Sequence, residues 1–465
     1  MMPFVRRLHG ARAAAGPLVE VVGGLEAALG EEVELTAPGQ PARRGVLLEC
    51  GERATVVQVL EETLGMAPAA TELVLTARVA RARVGAALLG RTLDGAGRPL
   101  DGLPAPLGEA LVPAAGAAIN PARRARPSDF IETGISAIDG LNTLVRGQKL
   151  PVFSGAGLPA LELATRIVSG ARSPRGEPFA VVFVGLGVSH REASEFTARV
   201  AAGGALEHAV LFLNEARDPT IERLEAPRAA LAQAEHLAFV HGRDVLVVLV
   251  DMTPYCEALR EIATAREEFP GRRGYPGSMY TDLASVYERA GMVEGKKGSV
   301  TQVPILTMPD DDLTHPIPDL TGYVTEGQIV LSRELWRRGV DPPIDVLPSL
   351  SRLMNAGIGE GRTVPEHRRW ADQLYALYAR GRDARSMAAI LGEAGLAPAD
   401  RRALAFAERF EREMVGQGAE RRDLATTIET GWRLLDALPD DDLTRLDDAA
   451  RAAHASRAAN AEVGG

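Results

Sequence analysis

The stretch Lys149-Leu150-Pro151-Val152-Phe153-Ser154-Gly155-Ala156-Gly157-Leu158-Pro159-Ala160-Leu161-Glu162-Leu163-Ala164 reads as a short apolar strand, a tight glycine turn and the start of a helix. That is the layout of a phosphate-binding loop, where backbone N–H groups and a helix N-terminus face an anion. A working loop follows G-x-x-x-x-G-K-[ST], with a lysine for the phosphates and a hydroxyl for Mg²⁺. Here Ala160 fills the lysine slot and Leu161 the hydroxyl slot. Pro159 suits the first turn of a helix but removes one N–H from the loop. Gly155 and Gly157 still supply the turn, and any residual nucleotide binding would act through them. The architecture of a nucleotide site is kept while its chemistry is lost.

Nothing else in the chain replaces what is missing. Its only lysines are Lys149, upstream of the strand, and the pair in Gly295-Lys296-Lys297-Gly298, where the glycine spacing is wrong. At 465 residues and 46% apolar content the chain has material for two to four packed domains, which excludes wholesale disorder. A formal charge of −10 argues against a nucleic-acid-binding surface. Two cysteines, Cys50 and Cys256, cannot make a disulfide framework and suit a reducing compartment. No apolar run approaches the roughly 18 residues that cross a bilayer. Met1 to Gly16 carries Arg6, Arg7 and Arg12 without an apolar core, so a basic arm is expected there rather than a signal peptide.

Around the opening stretch the chain divides by pattern. Residues 1–17 are expected as a disordered or extended arm. Residues 18–76 hold short apolar runs (18–22, 32–35, 45–49, 55–59 and 71–75) separated by Gly and Pro, the signature of a small β-barrel. Residues 77–127 are rich in turn formers and predict an extended surface connection. From 128 to 355, apolar strands at 150–153, 179–184, 210–213, 245–250, 303–306 and 328–331 alternate with helical segments, which predicts a parallel sheet covered on both faces. One helix is expected over 254–267, with Thr253 as its N-cap and Pro254 in the first helical position. Over 356–450 strand signals stop, and Leu404, Ala407, Phe410, Met414, Leu424, Ile428, Trp432 and Leu435 recur at helical spacing, predicting a helical bundle. The Ala-rich tail, 451–465, is expected to fray.

Several residues invite a chemical role. Asp251 closes the apolar run Val245–Val250, as an acid that holds Mg²⁺ through water would, but beside Thr253-Pro254 it reads better as helix-start chemistry. A hydrolytic enzyme of this layout needs a carboxylate near residue 188 to orient water, and Val188 cannot do that work. Glu192 and Glu195 read as a solvated helix face and His190 as a surface histidine. Asp310-Asp311-Asp312 reads as a solvated turn rather than a metal site, for lack of a spaced fourth ligand. Arg352 in Pro348-Ser349-Leu350-Ser351-Arg352 could reach a phosphate with its planar fork, although composition alone makes it an ordinary surface arginine.

Taken together, the motifs resemble one family. Asp319-Leu320-Thr321-Gly322-Tyr323-Val324-Thr325-Glu326-Gly327-Gln328 and its continuation to Arg333 is similar to the signature of rotary ATPase α/β-type subunits. Gly274-Tyr275-Pro276-Gly277-Ser278-Met279-Tyr280, Gly147 to Pro159, Thr133 to Asp139 and Glu294 to Gln302 narrow the resemblance to the B subunits, or beta chains, of V/A-type ATPases. It extends from about Leu18 to Pro439. The resemblance implies a β-barrel crown, a RecA-like α/β domain and a C-terminal helical bundle. It implies a ring in which three non-catalytic, regulatory chains alternate with three catalytic A subunits around a central rotor. Peripheral stalk subunits and a membrane-embedded ion-translocating sector complete the assembly, at the cytoplasmic face of the cell membrane. ATP or ADP with Mg²⁺ would sit at the subunit interface, held mainly by the A subunit. Arg352 matches the family's arginine finger, offered in trans to that nucleotide, and Tyr323 falls on the same interface. Two other classes are weighed against this reading. An autonomous ATPase of the superfamily would need a lysine at position 160, and a purely structural spacer would need no arginine at 352.

Overall fold

The computed structural model describes residues 6–23, 27–61 and 63–463, with side chains as far as residue 455. Met1 to Val5 of the expected arm and Gly464-Gly465 of the expected tail lie outside the described residues. The three-part architecture is the one the sequence predicts: an N-terminal barrel, a central α/β domain with a parallel sheet, and a helical C-terminal part.

The N-terminal part is an antiparallel sheet of seven strands: β1 (Arg6–His9), β2 (Ala13–Ala15), β3 (Leu18–Val22), β4 (Glu31–Thr36), β5 (Arg43–Cys50), β6 (Ala54–Val59) and β7 (Glu72–Val79). Their order is β1-β7-β4-β5-β6-β3-β2, so β1 and β2 hold opposite edges. Yet only Gly10, Ala11 and Arg12 join them. Four extended steps cover about 14 Å, whereas seven flat strands would set their edges about 29 Å apart. The sheet must therefore curl until its edges meet, and alternating residues such as Val19, Val33, Leu35, Leu47, Val57 and Leu73 fill the inside. Residues 6–15, expected as an arm, are the strands that bring this closure about.

Residues 77–127 are not simply an extended connection. They form β8 (Arg81–Val84), β9 (Thr92–Asp94), β10 (Ala110–Pro113) and β11 (Arg124–Ala125). β8 and β10 make a two-stranded antiparallel ribbon, while β9 becomes an edge of the central sheet.

The central sheet adds β12 (Val152–Gly155), β13 (Phe179–Val188), β14 (Ala209–Glu215), β15 (Asp244–Val250), β16 (Gly291–Val293), β17 (Ser299–Met308), β18 (Gly327–Leu331) and β19 (Ile344–Ser351). Its order is β19-β18-β12-β17-β15-β13-β14-β9, parallel from β18 to β9, with β19 antiparallel to β18. Both faces are apolar because both are covered. Val181 and Phe183 of β13 face one core, shared with Leu163 and Phe196, and Ala180, Val182 and Val184 face the other, shared with Leu231 and Tyr255. The helix after β15 runs Met252–Ala265, two residues ahead of the expected start. Asp251, not Thr253, is its N-cap, because the Asp251 carboxylate accepts from the Thr253 N–H.

The first core continues into the C-terminal helices through Trp370, Leu374, Phe406, Phe410, Met414, Ile428 and Trp432. Helix His367–Leu391 lies so close to helix Pro398–Arg409 that a Cβ on Gly381 would come 2.3 Å from the Ala403 carbonyl oxygen. The tail expected to fray is helical from Asp448 to Val463, in line with the high helix propensity of its alanines.

Candidate functional site

The carboxyl ends of β12, β13, β15 and β17 gather at one end of the sheet, where open α/β folds take ligands. A cavity of about 640 Å³ opens there, with Pro159, Leu161, Val188, Asp251 and Thr307 in its wall. The glycine loop runs from β12 into helix Ala160–Gly170, as expected. Two of its amides are turned onto its own carbonyls: Leu158 N–H donates to the Gly155 oxygen (3.1 Å) and Ala160 N–H to that of Leu158 (2.8 Å). Pro159 has no N–H to give. A loop that hydrogen-bonds to itself offers fewer donors to an anion than one whose N–H groups converge on a phosphate.

The loop is also pinned from outside. Arg333 Nη2 donates to the Ala156 carbonyl (2.9 Å) while the guanidinium makes a bidentate pair with Asp311 (2.9 and 3.0 Å). A Cβ on Gly155 would come 2.1 Å from the Asp311 carboxylate, so only glycine fits beneath this clamp. Gly157 sits at φ +76°, the left-handed conformation that glycine adopts without strain. The turn is solvent-exposed, as expected, but Asp311 also serves as the anchor of this clamp, and Asp312 is held by Arg273 (2.8 Å) and Thr314. Hydrogen bonds from Arg333 hold the Asp311 carboxyl below its usual range, and those from Thr314, followed by Arg273, bring Asp312 down to about 2.

Asp251 lies where a magnesium-directing acid would stand, but its oxygens are already taken. Oδ1 accepts from the N–H groups of Thr253 (2.7 Å) and Thr307 (3.1 Å), and Oδ2 accepts from the Thr307 hydroxyl. Burial pushes its pKa up, against the pull of these hydrogen bonds. Val188 ends β13 with no carboxylate in the water-orienting position. Glu192 is not merely a solvated helix residue. It closes a capping box with Ser189, accepting from that residue's N–H (2.9 Å) and lowering its own pKa through the Ser189 hydroxyl. Glu195 pairs with Arg191 (3.1 Å), and exposed His190 sets Nδ1 2.8 Å from Glu215.

The remaining candidates stand at the other end of the sheet. β19 runs antiparallel to β18, so Arg352, one residue past β19, returns to the start of β18. There its N–H donates to the Glu326 carbonyl (3.0 Å). Its side chain is exposed and, among the described residues, makes no ion pair. Tyr323, near the end of helix Pro316–Val324, is 73% exposed on the same edge. Lys149 stands beneath them, almost wholly buried, with Nζ 2.7 Å from Glu288 and 3.0 Å from Glu326. The six-residue register from Lys149, paired with Gln302, to Gly155, paired with Met308, separates the two ends by roughly 20 Å. Arg352 therefore cannot serve its own chain's loop.

Barrel, doubly covered parallel sheet and helical C-terminal part, with a strand-loop-helix nucleotide motif in the middle, define the class of rotary ATPase α/β-type subunits. The family models agree. The beta-barrel domain of the ATP synthase alpha/beta family matches residues 12–76, its nucleotide-binding domain matches 134–351, and the C-terminal domain of V and A type ATP synthase matches 356–454. The V-type ATP synthase beta chain of Anaeromyxobacter sp. (strain Fw109-5) is 62% identical over 95% of this chain and 96% of its own length. That of Thermus thermophilus is 54% identical over 93% and 92%. Among solved structures, the ATP synthase subunit NeqB from Nanoarcheaum equitans superposes with a TM-score of 0.72 at 36% identity, covering 91% of this chain and 100% of that one. The chain belongs to the V-type ATP synthase beta chain family, a class of rotary ATPase subunits.

Proposed function

We propose that this chain is the regulatory, non-catalytic member of an alternating ring of three such chains and three catalytic A subunits. In that ring Arg352 acts in trans on the nucleotide of a neighbouring A subunit. The carrying observation is this separation: an arginine that is exposed and, among the described residues, without an ion-pair partner stands at one end of the sheet, and a loop without the lysine or hydroxyl of a working site at the other. ATP or ADP with Mg²⁺ would be held mainly by the A subunit, since here Asp251 is committed to Thr253 and Thr307. A positioned guanidinium stabilises the charge that develops on a transferred phosphoryl group. Tyr323, exposed three residues before the Glu326 whose carbonyl accepts the Arg352 N–H, would belong to the same contact. The assembly would couple ATP synthesis or hydrolysis to ion movement through rotor, peripheral stalk and membrane sector, with this chain peripheral to the cytoplasmic face.

The test is ATP hydrolysis by the chain alone, by a mixture with a catalytic A subunit, and by that mixture with Arg352→Ala. The expected results are no turnover alone, turnover in the mixture, and a loss of about a thousandfold on substitution while the ring still assembles. Turnover by the isolated chain would refute the non-catalytic reading. Undiminished activity of the Arg352→Ala ring would leave this chain as a structural spacer.

A further inference from the structure

Far from the nucleotide loop, two histidines and a glutamate converge. Helix Thr220–Phe239 ends one turn past His236, and the chain folds back so that the N–H groups of Val240 and His241 both approach the His236 carbonyl (3.0 and 3.3 Å). This sets the two imidazoles edge to face, with centroids 5.2 Å apart. Glu109 arrives from the β8–β10 ribbon, where its N–H donates to the Val84 carbonyl (2.8 Å). The Ala86 N–H donates to Oε1 (2.8 Å), which turns Oε2 toward both rings. Oε2 lies 3.0 Å from Nε2 of His236 and 2.8 Å from Nε2 of His241. All three ligand atoms fall within 4.8 Å of one another.

We propose that Glu109, His236 and His241 form a divalent transition-metal site, best suited to Zn²⁺, that fastens the β8–β10 ribbon to the end of helix Thr220–Phe239. Imidazole and carboxylate are ligands of this ion, and three protein ligands with water in the fourth position make a tetrahedral shell. With bonds of roughly 2.0–2.1 Å, tetrahedral ligand atoms stand about 3.3 Å apart, so the two glutamate–histidine spacings of 3.0 and 2.8 Å need to open by only a few tenths of an ångström. Neither Nδ1 has a protein hydrogen-bond partner among the described residues, which leaves each ring free to carry its proton there and present the Nε2 lone pair inward. His236 is nearly buried, while the side chains of His241 and Glu109 are 30% and 42% exposed, which gives an ion a way in. The Ala86 amide acts as the outer partner that orients the carboxylate.

The test uses the untagged full chain stripped of metal, titrated with Zn²⁺ by calorimetry and followed by thermal unfolding. One equivalent should bind with a micromolar or tighter Kd and raise the Tm. His241→Ala and Glu109→Gln, both on partly exposed positions, should each weaken binding at least tenfold and abolish the Tm rise. Co²⁺ in place of Zn²⁺ should give the visible absorption of a tetrahedral site in the parent chain only. Absence of binding by the parent chain, or binding that survives both substitutions, would overturn the assignment and leave the cluster as a hydrogen-bonded clasp.

Discussion

A single residue in this chain behaves according to what surrounds it as much as to what it is. His367 is wholly buried, with Nε2 2.8 Å from the Gly140 carbonyl and Nδ1 3.1 Å from the Thr363 hydroxyl. Burial holds its pKa down to about 4. The unfolded chain takes up this proton near pH 6.5, and the folded chain only near 4. Its contribution to stability is therefore complete above pH 6.5 and is lost as pH falls toward 4. Between pH 7 and 5 the parent chain should lose about 2 kcal/mol more than His367→Gln, measured by urea unfolding at both pH values. Equal losses would show that this imidazole is not held neutral. The losses at Ala160, Leu161 and Val188 could be read from sequence because each is an absence, and an absence needs no partner. Asp311 and Arg333 could not be read, since 22 positions separate them and only the fold brings them onto Ala156. Glu192 could have been, for Ser189-His190-Arg191-Glu192 carries the capping-box spacing in plain view.

At the level of elements, the junction beneath Arg352 is held by charge in a buried place. Lys149 bonds Glu288 and Glu326, and Glu326 in turn accepts the Arg352 N–H through its carbonyl. Removing the cation leaves Glu326 without its ion-pair partner, while Glu288, more than a third exposed, keeps Arg124 at 3.0 Å, so the cost exceeds loss of an exposed pair but falls short of a fully buried one. Lys149→Met should lower stability by about 2 kcal/mol, while Lys296→Met on an exposed turn should change it by less than about 0.5 kcal/mol, both read from denaturant midpoints. Similar midpoints would mean the junction relies on packing alone. The strands of the central sheet were legible because burial on both faces leaves long apolar runs. The 77–127 strands were not, since β8, β9 and β10 are only three or four residues long and lie among turn formers.

Across the whole molecule, closure of the barrel depends on the link between β1 and β2. A chain lacking residues 1–16 loses both strands and bares the edges of β7 and β3. Open edges pair with other chains. This truncated chain should self-associate in light scattering at concentrations where the full chain does not, and an unchanged mass would show that the remaining five strands close by themselves. The barrel's existence was legible from its short, punctuated strands. Its closing strands were not, because an Arg- and Ala-rich segment shows no alternation by which to recognise β structure.

The roughly 20 Å between Arg352 and the glycine loop has one more consequence. A subunit whose exposed arginine and whose glycine loop stand at opposite ends of one sheet presents two unlike edges. It cannot meet a like-built neighbour through a two-fold axis and engage both features at once, because such an axis sets identical patches together. It can do so head to tail, and a head-to-tail contact repeated with the right rotation closes into a circle with a fixed sense of direction. In the ring proposed above, that sense would be set by the order of the two edges within a single chain.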